Sequence, residues 1–335
     1  MRTPARTAIA LTAVAALSLS AACSRGGDTS SANAPKASGK KDATMIMSTL
    51  NNPFFVSVKN GAQAQAPKNG VKLTVQNADN SDATALNLAT TAVSKQVGVL
   101  IIDPVSSQSA STSVTQANQA NIPVMAFDRK PAKGKLTSFV GYDAVEAGRN
   151  SAKALAEAVG GKGTVVEIQG ILGTNVAQDR SKGFEQEIAK HKGIKVVAKQ
   201  SAGFDRSKAL DVMTNVLQAH PDIDGVYAAN DEMAMGVLSA LKARNLQGKV
   251  KLVGNDGISD ALSAIASGDM YATNAESPYA LGQRVTGLAK NVLDGKKVAT
   301  DETLHGRLVT KNTVKAYANY LTGLGDAADV PKSLR

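Results

Sequence analysis

The chain has 335 residues with one cysteine, no tryptophan and a formal net charge of +10 at pH 7. A single cysteine excludes a disulfide framework within the chain, and +5 of the charge lies before residue 42, so the rest is only mildly basic. Its lysines, such as Lys190, Lys192, Lys195 and Lys199, are spread without interleaved aromatics, which argues against nucleic acid as a partner.

In chain order, Arg2 and Arg6 precede an apolar run from Ala8 to Leu19 and the small residues Ser20–Ala21–Ala22. That is the pattern of an export leader over residues 1–22, too short to span a bilayer. Cys23 follows directly, in a setting that resembles a bacterial lipobox, with Ser20 where Leu is usual. The resemblance implies cleavage before Cys23 and a diacylglyceryl thioether on its sulfur; the alternative is plain secretion with a free thiol. Residues 23–41, rich in Ser, Gly, Ala and Lys, read as a flexible tether. No later segment approaches the roughly 20 apolar residues of a membrane span.

From residue 42 on, short β-branched runs alternate with helical patterns. The strand-like runs are 44–48, 71–76, 98–102, 122–126, 164–168, 194–198, 225–228 and 250–254. The helical stretches are 53–66, 83–96, 107–120, 144–159, 176–191, 206–219, 231–244 and 258–267. Such alternation means βαβ units and parallel sheets covered on both faces, as one barrel or two open sheets. Roughly 290 residues suffice for two lobes with separate cores.

The ends of the runs carry the chemistry. Met45–Ile46–Met47 leads into Ser48, Thr49, Asn51 and Asn52, then Pro53 and the adjacent Phe54 and Phe55. Asn52 fits an N-cap and Pro53 the first helical position, so this is a βα turn on the ligand-binding edge of a parallel sheet. Other runs end in Asp103, Asp128–Arg129, Asn230–Asp231 and Asn255–Asp256. Any one of these reads as a cap or turn residue, and either Phe alone reads as core. Together, carboxylates, amides and a guanidinium that satisfy hydroxyls, with aromatics for C–H faces, point to a polyhydroxylated ligand.

Several stretches together resemble the bacterial ribose-binding protein family: residues 48–55, Ala120–Val124 with Asp128–Arg129, Gln169–Ile171 with Arg180, Phe204–Arg206, Asn230–Ala234, and Gly254 with Asp256–Gly257. The likeness runs from about Lys41 to about Val314. It implies an α/β periplasmic-binding-protein fold of two doubly wound parallel-sheet lobes joined by three crossings, near Tyr142–Asp143, Glu276–Ser277 and His305–Gly306. The expected lobes are 42–142 with 277–305 and 143–276 with 306–320, followed by a tail at 321–335. It further implies a sugar between the lobes, held by Asn52, Asp128 and Arg129 from one side and by Arg180, Asn230 and Asp256 from the other. Phe54, Phe55 and Phe204 would cover the ring, with Ser48 and Ile171 more peripheral. Four positions depart from the family pattern: Asp103 replaces Asn, Tyr142 replaces Ser, Asn255 replaces Phe and Glu276 replaces Gln. They lie beside the expected pocket and are counted with its ligand-binding residues.

Catalytic chemistry is not legible. His191, His220 and His305 lie far apart in sequence, and no nucleophile elbow, P-loop or Cys–His arrangement occurs. The expectation is a monomeric, lipid-anchored, extracytoplasmic sugar-binding protein that serves an ABC permease, with no cofactor, metal or enzymatic activity. Alternatives are a polyol, an amine-bearing sugar or a sugar-like signal as ligand. A sugar-responsive regulator of the lac repressor type is disfavoured because a leader stands where its helix-turn-helix would be.

Overall fold

The computed structural model describes residues 39–335; the leader, Cys23 and nearly all of the tether fall outside the described residues. The described chain begins with β1 (Asp42–Met47), α1 (Pro53–Gln65), β2 (Lys72–Asn77), α2 (Asp82–Ser94), β3 (Val99–Ile102), α3 (Ala110–Gln119), β4 (Val124–Phe127) and β5 (Ser138–Tyr142). A second series follows: α4 (Ala144–Ala158), β6 (Lys162–Gln169), α5 (Asn175–Ile188), β7 (Gly193–Ser201), α6 (Arg206–Ala219), β8 (Gly225–Ala228), α7 (Asp231–Lys242), β9 (Lys251–Asp256), α8 (Ser259–Ser267) and β10 (Ala272–Ala275). The chain closes with α9 (Pro278–Leu293), β11 (Asp301–Leu304), β12 (Arg307–Thr310) and α10 (Val314–Leu324).

The strands form two six-stranded sheets, ordered β11-β5-β4-β3-β1-β2 and β12-β10-β9-β8-β6-β7, not one barrel. All pairings are parallel except β12 against β10. Each lobe therefore repeats the 2-1-3-4-5 doubly wound order, whose ligand crevice lies at the strand ends where the order reverses. The chain passes between lobes after β5, after β10, and between β11 and β12.

Burial on both faces explains why the strands read as continuous apolar runs. In β1, Met45 and Met47 pack under α1 and α9, while Ile46 packs on the opposite face with Leu100, Ile102 and Val114. The second lobe gathers Val165, Val166, Ile168, Tyr227 and Leu252 with residues of α4 to α8 into one core.

Strands β5, β10, β11 and β12 and helices α9 and α10 escape the sequence pattern. The four strands have only four or five residues, and β10 and β11 (ATNA and DETL) show no apolar run. A boundary at residue 320 would cut α10, which runs on to a left-handed Gly325 because Leu321 is buried. Beyond it Val330 joins the second core, whereas Asp326 accepts a hydrogen bond from Ser57 of α1 at 3.2 Å. The final segment therefore touches both lobes.

Candidate functional site

The strand ends of the two sheets face one another across a small cavity of about 270 Å³, lined by Asn52, Phe54, Phe55, Asp128, Arg129, Val176, Arg180, Phe204, Asn230 and Asp256. Nine of these are among the residues expected from sequence, and Val176 is not. Nothing in the sequence marks Val176: it is a buried residue in the first turn of α5, with the same signal as any core valine.

The local reasons are visible residue by residue. Asn52 caps α1, its Oδ1 accepting from Phe54 N–H at 2.9 Å, and Asn230 caps α7 by accepting from Met233 N–H at 3.0 Å. Both thus serve as caps while lining the cavity, so the two readings coexist. Phe54 and Phe55 meet edge to face at 5.2 Å and also belong to the first core. The guanidinium of Arg129 lies 5.2 Å from the Phe55 ring and 5.7 Å from the Phe204 ring of the other lobe, a cation–π bridge across the cleft. Asp128, Phe204 and Asp256 all hold positive φ, at 56°, 60° and 126°. Asp128 sits in the left-handed region that aspartate tolerates, whereas Phe204 and Asp256 hold conformations that their residue types seldom adopt.

Arg180 is placed by close helix packing. A Cβ on Gly148 of α4 would lie 1.9 Å from the Arg180 carbonyl oxygen, so only glycine lets α4 and α5 approach this far. The Arg180 guanidinium donates to Ala229 O at 2.8 Å and to both Glu276 oxygens at 3.0 and 3.2 Å, and lies 3.3 Å from Asp256. Its Nε–H is buried without a protein acceptor, which leaves a donor for a ligand. Gly170 serves Phe204 in the same way, since a Cβ there would fall 2.1 Å from the ring.

Six expected residues stand outside the lining. Ser48 donates its backbone N–H to Asp103 at 3.1 Å, and Asp103 lies 3.8 Å from Arg129. Both are buried behind the cavity wall; Ser48 Oγ and Asp103 Oδ1 make no hydrogen bond, and that carboxylate oxygen is the one that faces Arg129. Asn255 bonds Glu276, Asp256 and Asn274, so it supports carboxylates and forms no pocket wall. Glu276 itself backs Arg180. Tyr142 braces the crossings: its hydroxyl accepts from Ser277 N–H at 2.7 Å and donates to Ser277 O at 3.2 Å. Ile171 lies on the outer rim with Thr49 and Arg206. The four departures from the family pattern therefore tune the arginines and the hinge from behind.

Burial pushes the Asp103 carboxyl up to about 7 against the opposing pull of Arg129. Asp128, Asp256 and Glu276 are also raised, by burial first, with arginine opposing. Asp231, expected only as part of a polar strand end, accepts from Gly257 and Ile258 N–H and from the Thr273 hydroxyl, and so fixes the turn that carries Asp256. His305 is less isolated than its sequence position suggests: its Nδ1 lies 2.5 Å from Glu146, with Asp143 adjacent, at the exposed hinge edge.

The cleft mouth is bridged by residues with no sequence signal for it. Ser107 N–H donates to Gly173 O at 3.2 Å, Lys130 N–H to Asn175 Oδ1 at 2.8 Å, and Asn175 N–H to Ser107 Oγ at 3.4 Å.

A family model described as a periplasmic binding protein domain matches residues 43–297. The ribose import binding protein RbsB of Escherichia coli (strain K12) is 41% identical over 300 residues, 90% of this chain and 97% of that one. An ABC transporter periplasmic solute binding protein from Actinobacillus succinogenes 130z, solved with bound D-allose, superposes with a TM-score of 0.79 at 31% identity, over 83% of this chain and all of that one. A solute binding protein from Bacillus halodurans C-125 with bound myo-inositol gives 0.80 at 28% identity, over 84% of this chain and 98% of that one.

Proposed function

The chain belongs to the periplasmic binding protein family, and on that premise we propose that it is an extracytoplasmic solute-binding protein that holds one monosaccharide, ribose or a related pentose or hexose, between its lobes for import. The observation that carries the reading is the cavity itself. It is small, and what it offers is its lining, drawn from both lobes. Its walls offer three aromatics, two guanidiniums, two carboxyls and two amides. That set matches a ring with several hydroxyls and two C–H faces. Contacts from both lobes make binding favour the form in which the lobes meet, the population shift an importer reads.

Carboxyls outnumber guanidiniums around the site, which taken alone would favour an amine-bearing sugar. Each of the four already faces a guanidinium, Asp103 and Asp128 that of Arg129, Asp256 and Glu276 that of Arg180, so none is left to a cationic ligand and a neutral one fits better. The reading includes no catalysis. Delivery to an ABC permease as a monomer, and anchoring through a lipid on Cys23, complete the proposal; Cys23→Ser should release the protein from membranes washed at high salt, and retention in the washed membrane fraction would count against the anchor. Isothermal titration with pentoses, hexoses and polyols tests the ligand class. A member of the panel should bind in the micromolar range or tighter, and failure of all of them to bind below about millimolar would end the sugar reading.

A further inference from the structure

The sequence scatters the lysines of the first lobe, but the fold collects many of them on one edge. Strands β1, β2 and β3 run parallel and start in register, Asp42 beside Lys72 and Ala43 beside Val99. At that edge Lys41, Lys72 and Lys95 line a single surface groove with Asp42, Thr74 and Thr91. The end of α9 lies against it, since a Cβ on Gly98 would meet both Leu293 and the Lys40 side chain. It adds Lys290, Lys296 and Lys297, with Asp294 neutralised by Lys290 at 2.7 Å and Lys296 at 3.3 Å. Lys40 is tied to the Gln96 carbonyl on the same edge. The opposite, strand-end edge carries Asp79, Asp82, Asp103 and Asp128 together with Arg129 and Lys130. The basic excess of the lobe is therefore gathered where the strands start.

We infer that the strand-start edge of the first lobe is a docking surface for an anionic phospholipid bilayer. Two observations choose this occupant. The charge is complementary to anionic headgroups, and lysines presented together near such a surface act additively within a Debye length. The described chain also enters at Gly39, beside Lys40 and Lys41, so the tether that leads back to Cys23 leaves from this same edge. With the anchor proposed above, on which this second observation rests, a chain fixed through Cys23 would hold the edge at high effective concentration near the bilayer. Docked this way, the protein presents its cleft away from the lipid, open to solute. The inference does not depend on which solute binds, and its test contains no sugar.

The test is cosedimentation of the full chain with vesicles of phosphatidylglycerol and phosphatidylcholine, compared with phosphatidylcholine alone. Insertion of apolar N-terminal residues contributes to both, so the excess on anionic vesicles reads the basic edge. That excess should be about tenfold at low salt and vanish by about 0.5 M salt. Lys41→Glu with Lys72→Glu and Lys95→Glu should abolish it, as should the three Gln substitutions if the Glu variant fails to fold. Lys192→Glu with Lys195→Glu and Lys249→Glu, an equal charge change on the other lobe, should leave it in place. No excess on anionic vesicles, an excess that survives the first variant, or an equal loss in the second would each overturn the inference.

Discussion

The bridge across the cleft mouth makes affinity depend on residues that line no part of the cavity. Asn175→Ala deletes the acceptor for Lys130 N–H, a 2.8 Å bond between lobes, and leaves the Thr174 cap of α5 intact, because that cap bonds Ala177. When the lobes part, Lys130 N–H finds water, so the loss is the net worth of one hydrogen bond, about 1 kcal/mol. The equilibrium constant for the bridged form falls by about fivefold, and the apparent Kd weakens by up to that factor, the full amount where that form is the minor one in the free protein, whereas the change in scattering is largest where it is the major one. Titration calorimetry reads the affinity and stopped-flow dissociation the rate, which should rise. Scattering of the ligand-free variant should show a larger radius of gyration. Unchanged affinity together with unchanged scattering would refute the reasoning.

Asp128→Asn keeps the size and the tolerance for positive φ but removes a buried carboxylate; affinity should fall by about a hundredfold with little change in thermal transition. Normal binding would remove Asp128 from the site. Gly170→Ala drives a Cβ to 2.1 Å from the Phe204 ring, so that ring must shift and binding should weaken by about tenfold; an unperturbed Kd would show that Phe204 does not contact the ligand. Asp103 lies buried among Arg129, Asp128 and Ser48 with its carboxyl pushed up to about 7, so between the ordinary carboxylate range near 4 and that value the folded state holds a proton the unfolded state has lost. Its contribution therefore falls as pH rises from about 4 to about 7 and is level above that. Asp103→Asn should gain thermal stability over the parent between pH 5 and pH 8, and a difference constant with pH would contradict the assignment.

What was legible in the sequence follows from how the signal arises. Long strands buried on both faces, such as β1 and β6, announce themselves as apolar runs, and the polar residue after each marks the cleft edge. Asn52, Asp128 and Asp256 were legible in this way. Strands such as β10 and β11 lie toward the sheet margins with mixed polarity and leave no pattern. Second-layer roles were hidden for a different reason: Asn255 and Glu276 end a strand or follow one as the lining residues do, and only side-chain direction separates a residue that faces the cavity from one that backs Arg180. The bridge of Ser107, Gly173 and Asn175 arises from two loops 66 or more residues apart that tertiary structure alone brings together.

The central claim, that one sugar ring sits between Phe54, Phe55 and Phe204 with Arg180, Asp128 and Asp256 at its hydroxyls, is tested most directly by a crystal structure with the tightest ligand of the titration panel. The account predicts that ring between the lobes, with Arg180 Nε–H among its donors. A ligand seated elsewhere, with this cavity empty, would contradict it.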